Sequence, residues 1–162
     1  MFIRVCVLIL AVALATSTTS RASTDGALEA SEKIDWKTFD EGMSEIKRDG
    51  KPGIVLIQRP SCPACRNLNA IFATSTKIQD LSKSFVMIRC NSGENLHDEA
   101  YNGDGSYVPR LFFVSPRGEV LTKVTAVQGE SRFKYYYYSE DQLLQNMQHS
   151  LQKYNLRASY VC

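Results

Sequence analysis

The spacing of apolar residues predicts a helix followed by a buried strand in the first third of the chain. A stripe at helical spacing indicates a helix that follows an N-cap at Asp35 and ends before Gly50. Its apolar members are Trp36, Phe39, Met43 and Ile46. Residues 53–58 (GIVLIQ) are almost wholly apolar and rich in β-branched side chains, which is typical of a strand buried on both faces.

The middle of the chain continues this alternation. A second helical pattern opens at Cys62 and runs through Leu68 and Phe72. Residues 78–83 predict a short helix or turn, and residues 85–89 predict a second strand. The polar residues 91–107 contain the Gly-rich stretch NGDG, so we expect a loop.

A hairpin and a helix are predicted for the last third. Apolar runs at 110–115 and 120–124 flank Pro-Arg-Gly at 116–118, which favours a hairpin. Among the four tyrosines at 135–138, core and surface positions should alternate. Ser139–Gln142 has the form of a capping box before an apolar stripe, so a last helix follows. Strand–helix–strand order plus a hairpin predicts an α/β fold with a central mixed sheet flanked by helices.

The N-terminus has the layout of a secretory signal peptide. A positive start is followed by an apolar run of about eleven residues, too short to span a bilayer, and then by small residues around Ala22. We therefore expect a signal peptide over residues 1–22, a loose leader over 23–34, one domain over 35–154 and a tail over 155–162. The secretory pathway is the predicted location, and it is an oxidising one.

Charge excludes some classes of partner. The 162 residues carry 19 Lys and Arg against 17 Asp and Glu, for a net charge of +2, and these charges are scattered along the chain. We expect no nucleic-acid partner, because no basic run is present. We also expect no membrane span, because the N-terminal apolar run is too short.

The pair Cys62 and Cys65 is the main candidate for chemistry. A Cys-x-x-Cys between a buried strand and a helix is typical of a thioredoxin-like redox motif. At a helix start, unpaired N–H groups and the helix dipole stabilise a Cys62 thiolate, and Pro63 fits the first helical position. Cys65, one turn later, could close a disulfide or resolve a mixed one. The pair could instead be half of a zinc site, a structural disulfide or an inactive motif, although a second ligand pair for zinc is missing.

A proline before the predicted hairpin supports redox work. Pro109 precedes an apolar strand, lacks an N–H and can adopt cis geometry, which leaves the backbone of Val108 free to pair with a substrate strand. A proline that merely starts a strand is the alternative.

These stretches together resemble the anterior gradient family of small endoplasmic-reticulum proteins, related to protein disulfide isomerases. The matching segments include residues 61–65 (SCPAC), 85–88 (FVMI), 104–110 (DGSYVPR) and 115–118 (SPRG). The resemblance implies a thioredoxin fold and thiol–disulfide exchange without a cofactor other than the Cys62–Cys65 disulfide. It also implies that Cys62 is the nucleophile, Cys65 the resolving thiol and Pro109 a cis-proline.

The chain departs from the redox-active members of that family near the cysteines. Ser61 stands where they carry Trp, so a flat apolar contact for substrate at this position is lost. Pro63 and Ala64 replace Gly-Ala between the cysteines, and together with the nearby cation Arg66 they are candidate tuners of the redox potential. Leu56 occupies the position where thioredoxin buries an Asp, which predicts slower reductive turnover.

Two functions follow from this reading. The first is an oxidoreductase whose partners are client proteins with thiols or disulfides, with glutathione or another oxidoreductase as electron partner. The second is a non-enzymatic secreted or luminal protein of the anterior gradient type that binds clients or receptors; the presence of Cys65 favours the enzyme. The ending at Cys162 is not a retrieval signal, so we expect either the endoplasmic-reticulum lumen or secretion. Cys90 is expected to be a buried inert thiol, whereas Cys162 could link a disulfide dimer.

Overall fold

The structure is a computed structural model that describes residues 33–94, 96, 98–126 and 132–158, without the side chains of 155–158. The expected signal peptide, nearly all of the expected leader and Cys162 lie outside the described residues. The elements in chain order are β1 (Trp36–Lys37), α1 (Phe39–Asp49), β2 (Gly53–Gln58), α2 (Pro63–Thr74), α3 (Thr76–Ser82), β3 (Val86–Asn91), a 3₁₀ helix (Glu99–Asn102), β4 (Arg110–Val114) and α4 (Glu140–Ala158).

The four strands form one mixed sheet in the order β1-β3-β2-β4. β3 runs parallel to both β1 and β2, and β4 runs antiparallel to β2. The helices α2 and α3 form the crossover that makes β2 and β3 parallel. β4 comes later in the chain and forms the antiparallel edge next to β2. The arrangement confirms the predicted α/β class with a central mixed sheet.

Alternation along β2 divides the core into two apolar layers. Ile54 and Leu56 face a layer that α2, α3 and α4 cover, whereas Val55 and Ile57 face a layer that α1 covers. Every residue from Gly53 to Ile57 is buried, as predicted for a strand covered on both faces. The tyrosine run alternates as predicted: Tyr135 and Tyr137 are buried, and Tyr138 is exposed.

The predicted start of the first helix is wrong. Trp36 lies in β1, where it pairs in register with Met87, because strand pairing with β3 outweighs the helical spacing. The helix begins after Thr38, whose N–H and hydroxyl donate to the Glu41 carboxylate at 3.3 and 2.7 Å. Asp35 is not the N-cap and instead forms an ion pair with Lys37 at 2.7 Å. The predicted end is confirmed, because Gly50 adopts a left-handed conformation with φ 62° after Asp49.

The predicted hairpin forms only in part. Beyond β4, a single antiparallel bridge joins Val114 and Val120, and no second strand follows among the described residues. The reason is competition for the edge of β4: the carbonyl of Tyr135 accepts the Leu111 N–H at 2.9 Å. Two smaller differences are that β3 runs to Asn91 and that the predicted loop contains the 3₁₀ helix.

Candidate active site

Cys62 caps the amino end of α2. Its sulfur accepts the N–H of Cys65 at 3.2 Å, and Pro63 occupies the first helical position. The chain reaches this position through a turn in which the Cys62 N–H donates to the carbonyl of Arg59 at 3.1 Å. Cys62 is half-buried, so its sulfur is accessible at a helix end whose free N–H groups favour a negative charge.

Cys65 lies one turn into α2 and is buried, with 2 % of its surface exposed. Burial, and next the hydrogen bond with Cys62, raise the pKa of the Cys65 thiol to about 11. Neither cysteine is in a disulfide in this structure, which therefore holds the dithiol form. The arrangement gives one accessible sulfur and one protected thiol beside it.

The segment before β4 faces the accessible sulfur. The peptide bond between Val108 and Pro109 is cis, as the family resemblance implies. The Cys62 thiol donates to the carbonyl of Val108, with 3.7 Å between the sulfur and the oxygen. Val108 is half-buried and Pro109 is buried. The fold thus brings together the two motifs, separated by more than 40 residues, that the sequence marked as candidates.

The other residues that the sequence marked near the cysteines differ in how exposed they are. Ser61 and Pro63 are exposed at the mouth of the site, and Ala64 is half-buried. Arg66 is exposed on α2, and its N–H donates to the carbonyl of Cys62 at 3.2 Å as part of the first helical turn. Leu56 is fully buried in β2, so an aliphatic side chain fills the position of the buried acid in thioredoxin.

Two further contributors were missed in the sequence. Arg59 directly follows β2, and its backbone hydrogen bond and its charge lower the pKa of the Cys65 thiol, against the larger rise that burial and Cys62 cause. Tyr107, next to Val108, donates its hydroxyl to Asp104 and accepts the N–H of Tyr135 at 3.0 Å. The position of Arg59 directly after a buried strand, three residues before Cys62, could have suggested its role.

Asp104 and Arg110 complete the support of the loop that precedes β4. Asp104 also accepts the Lys134 N–H at 2.9 Å, so a segment some 30 residues further along the chain holds this loop. The buried guanidinium of Arg110 donates to the carbonyls of Tyr101 and Gly105. These charge-assisted bonds hold the loop that presents Val108 to Cys62.

Cys90 lies apart from the pair. It is 1 % exposed in β3, in register with Ile57 and on the face that α1 covers. Burial, with a smaller contribution from Glu94, raises the pKa of its thiol to about 12. Burial agrees with the expectation of an inert thiol for Cys90.

Within the described ranges, no group of three or more His, Cys, Asp and Glu side chains is arranged to hold a metal ion. No helix in that part of the chain has the length and apolar character needed to cross a membrane.

The sequence is similar to one family profile and to a group of curated proteins. The family described as "Thioredoxin-like" matches residues 35–116. Anterior gradient protein 3 of Xenopus tropicalis is 31 % identical over 116 residues, which cover 70 % of each chain. The human anterior gradient protein 2 homolog is 30 % identical over 71 % of this chain and 65 % of its own. The chain therefore spans about two thirds of the length of these relatives.

Solved structures of low sequence identity share the fold. A disulphide isomerase from Xylella fastidiosa Temecula1 superposes with a TM-score of 0.50 at 19 % identity, over 83 % of this chain and 98 % of its own. A thioredoxin from Thermus thermophilus superposes with a TM-score of 0.53 at 15 % identity, over 72 % and 86 %. At these identities the likeness concerns the fold, and it agrees with the mixed sheet described above.

Proposed function

This chain belongs to the thioredoxin-like family and, within it, to the anterior gradient proteins, and on that premise we propose that it is a thiol–disulfide oxidoreductase acting on protein disulfides of the secretory pathway. One observation carries the proposal: Cys62 is half-buried, and its sulfur accepts the N–H of Cys65 at 3.2 Å. An accessible nucleophile with a protected second thiol one helical turn away is the minimum that dithiol exchange requires.

The exchange proceeds in two displacements. The Cys62 thiolate attacks one sulfur of a client disulfide, forming a mixed disulfide and releasing the other client sulfur as a thiolate, which takes up a proton. Cys65 then loses its proton, attacks the Cys62 sulfur and releases the second client thiolate. The client gains two electrons and two protons, and the enzyme is left with the Cys62–Cys65 disulfide. Two thiols of glutathione, or a dithiol oxidoreductase, restore the enzyme; the reverse sequence oxidises a client.

Client recognition is assigned to the backbone beside Cys62. Val108 presents a carbonyl 3.7 Å from the sulfur, and Pro109 contributes no N–H of its own. An extended client segment can pair with main-chain groups there, which gives broad specificity. Ser61, exposed at the same mouth, offers a small polar contact.

Within the family, we place the chain with thioredoxin domain-containing protein 12, which it resembles in residues 61–65 and 104–110. The feature that favours this placement is Cys65, because a protein that only binds clients needs no resolving thiol. Binding without exchange, as an anterior gradient client or receptor protein, is the outcome if turnover is absent.

Catalysed repair of a scrambled protein tests the proposal. Ribonuclease with randomised disulfides regains activity in glutathione buffer, and the mature chain should accelerate this recovery, whereas Cys62→Ser should not. If ribonuclease recovered at the same rate with the wild type and with Cys62→Ser, the oxidoreductase proposal would be contradicted and the non-enzymatic binding function would replace it.

The location is a second part of the proposal. We expect the chain produced in cultured secretory cells to lose residues 1–22 and to begin at Ser23, in the endoplasmic-reticulum lumen or the medium. N-terminal sequencing of the isolated product measures this. A product that retains Met1 and stays in the cytosol would contradict it.

A further inference from the structure

Exposed aromatic surface in the described part of the chain is concentrated in one segment. Two large hydrophobic side chains there are exposed, Phe133 at 49 % and Tyr138 at 62 %. Both belong to the segment 133–138 that precedes α4. A single exposed ring is ordinary on a protein surface, so its surroundings decide whether it has a role.

The segment that carries Phe133 is fixed to the loop before β4. The N–H of Lys134 donates to the Asp104 carboxylate at 2.9 Å. The N–H of Tyr135 donates to the Tyr107 hydroxyl at 3.0 Å. Two hydrogen bonds from consecutive residues thus hold the neighbouring Phe133 against this loop.

Phe133 and Tyr107 together form one aromatic surface, which we call the aromatic shelf. Their ring centroids are 4.8 Å apart with an interplanar angle of 81°, an edge-to-face contact. Tyr107 is half-buried and its hydroxyl donates to Asp104, so turning this ring away from Phe133 would break that hydrogen bond. Phe133 therefore rests on a fixed ring while its own side chain stays exposed.

The aromatic shelf adjoins the backbone that faces the accessible sulfur. Tyr107 is joined directly to Val108, whose carbonyl oxygen lies 3.7 Å from the Cys62 sulfur. A client strand that pairs with the main chain at Val108 advances about 3.3 Å per residue, so a side chain within two or three positions of its cysteine can reach the shelf. Ser61, next to Cys62 in the chain, is exposed but small and polar. The shelf thus offers the large apolar contact that Ser61 does not.

Exposed cations flank the shelf. Arg132 and Lys134 stand on either side of Phe133 in the chain, and both are exposed. Asp104, the acid that contacts the shelf, already accepts from the Tyr107 hydroxyl and the Lys134 N–H. The charge here therefore favours an acidic over a basic client segment.

We propose that the aromatic shelf is a client subsite that selects extended segments with a large apolar side chain close to their cysteine and acidic rather than basic neighbours, an inference that rests on the proposed oxidoreductase function. The shelf takes no part in bond making. It adds a side-chain preference to the backbone pairing at Val108 and raises the rate by holding the client's sulfur near Cys62.

Exchange with a set of short peptides tests the inference. Each peptide carries one cysteine as a mixed disulfide with thionitrobenzoate, and a single Phe is moved from three positions before to three positions after it in a Ser background. The Cys62 thiolate bonds to the peptide sulfur and displaces thionitrobenzoate as its coloured anion, so absorbance follows the first displacement. Each rate is divided by that of the same peptide with N-acetylcysteine, which removes differences in peptide reactivity. In the mature protein, Phe on one side of the cysteine should raise this relative rate over the all-Ser peptide by roughly three- to tenfold.

Variants of the shelf assign this gain to a residue. Phe133→Ser should remove most of the gain, and Phe133→Leu should keep part of it. The matched control is Tyr138→Ser, which removes the other exposed aromatic ring of the segment and should leave the gain intact. Because the gain compares two peptides on one protein, a general loss of fold or of thiol reactivity cancels. An undiminished gain in Phe133→Ser, or an equal loss in Tyr138→Ser, would overturn the inference.

The charge preference is tested with the same peptides. Glu beside the Phe should give a faster exchange than Lys at low salt, and the difference should shrink in about 1 M salt, where the Debye length is about 3 Å. Faster exchange with Lys would contradict an acidic preference.

Binding without exchange separates this inference from the proposed function. Fluorescent peptides with Ser in place of Cys cannot react, and anisotropy gives their Kd. The wild type should bind the best Phe peptide roughly three- to tenfold more tightly than the all-Ser peptide, and Phe133→Ser should lose this preference. If the preference is present but the wild type does not accelerate the recovery of scrambled ribonuclease, the oxidoreductase proposal falls and the subsite stands. If recovery is accelerated and Phe133→Ser keeps the preference, the subsite alone is wrong.

A second copy of this chain is the other possible occupant of the shelf. Sedimentation equilibrium of the wild type and of Phe133→Ser measures it. The proposal expects the same mass for both proteins. A wild-type dimer that Phe133→Ser dissociates, without a preference for Phe peptides, would overturn the client subsite in favour of self-association.

Discussion

The amino end of α2 and the end of β3 each bury a cysteine, and the two thiols invite comparison. Cys65 is 2 % exposed and Cys90 is 1 % exposed, and burial raises the pKa of both, to about 11 and about 12. Their surroundings differ: the N–H of Cys65 donates to the sulfur of the half-buried Cys62, whereas Cys90 packs among apolar side chains such as Ile57. Under the proposed function, the accessible Cys62 beside Cys65, and not burial, makes the Cys65 thiol part of an exchange site.

The strongest way to break this comparison is to remove the accessible sulfur. Cys62→Ser should lower disulfide exchange by more than about a thousandfold, because the attacking nucleophile is lost. Cys90→Ser should stay within about twofold of the wild type, as its thiol has no role in exchange. Recovery of scrambled ribonuclease measures both, with circular dichroism confirming the fold. A large loss in Cys90→Ser despite a native spectrum would contradict the separation of the two regions.

Removing the protected thiol should have a smaller effect. Cys65→Ser keeps the nucleophile, so the first displacement still occurs and the mixed disulfide then waits for an external thiol. Incubation with oxidised glutathione should give a long-lived adduct on Cys62, detected as added mass. In the wild type this adduct should be brief and give way to the intramolecular disulfide. Equal lifetimes in the two proteins would show that Cys65 does not resolve.

Alkaline pH should separate the role of Cys90 from that of the pair. The pKa of Cys90 in the fold, about 12, lies above the value of 9.0 that the thiol has in the unfolded chain. The buried thiol therefore contributes stability that is complete below pH 9 and is lost as pH rises toward 12. Cys90→Ala lacks this thiol, so its free energy of unfolding should fall less steeply with pH in that window. The slope should be smaller by up to about 1.4 kcal/mol per pH unit. Urea titrations at several pH values measure the slope.

Identical alkaline slopes in Cys90→Ala and the wild type would mean that Cys90 is not held as a buried neutral thiol. The core cost of the substitution is separated from the pH effect, because it lowers the free energy of unfolding equally at every pH.

The smallest expected effect sharpens the comparison from the substrate side. Tyr107→Phe deletes the hydroxyl that donates to Asp104 and accepts the Tyr135 N–H, so the loop that carries Val108 loses two hydrogen bonds. We expect a loss of about 1–3 kcal/mol in stability and a rise in KM for a disulfide peptide, with little change in kcat. The control is Tyr138→Phe, which removes an exposed hydroxyl at the end of the tyrosine run 135–138. A fall in kcat with KM unchanged would place the Tyr107 hydroxyl in the chemistry instead.

The sequence predicted those parts of the fold that depend on local pattern. Three features are found at the expected place: the apolar run of β2, Pro63 at the first turn of α2 and the apolar stripe of α4. Each can be recognised from neighbouring residues alone. Trp36 and residues 120–124 were misplaced because pairing with β3 and competition from Tyr135 for the edge of β4 are decided by distant segments.

The same division applies to the site. Cys62, Cys65 and Pro109 stand out in the sequence because a Cys-x-x-Cys between a strand and a helix and a proline directly before an apolar strand are recognisable patterns. Arg59 and Tyr107 do not, since an arginine after a strand and a tyrosine in a loop are common. Their hydrogen bonds with Ser92 and Tyr135 join residues 33 and 28 positions apart, so they exist only once distant segments meet in space.

The central claim is that Cys62 and Cys65 cycle between dithiol and disulfide, and the reduction potential of the pair tests it most directly. The mature protein is equilibrated in glutathione buffers, and the remaining thiols are trapped and located by mass spectrometry. We predict a reversible transition in which only these two thiols are lost together, near the poise of the endoplasmic reticulum of roughly −180 to −210 mV, while Cys90 stays reduced. A disulfide that remains closed below about −300 mV would contradict the account and make the pair structural.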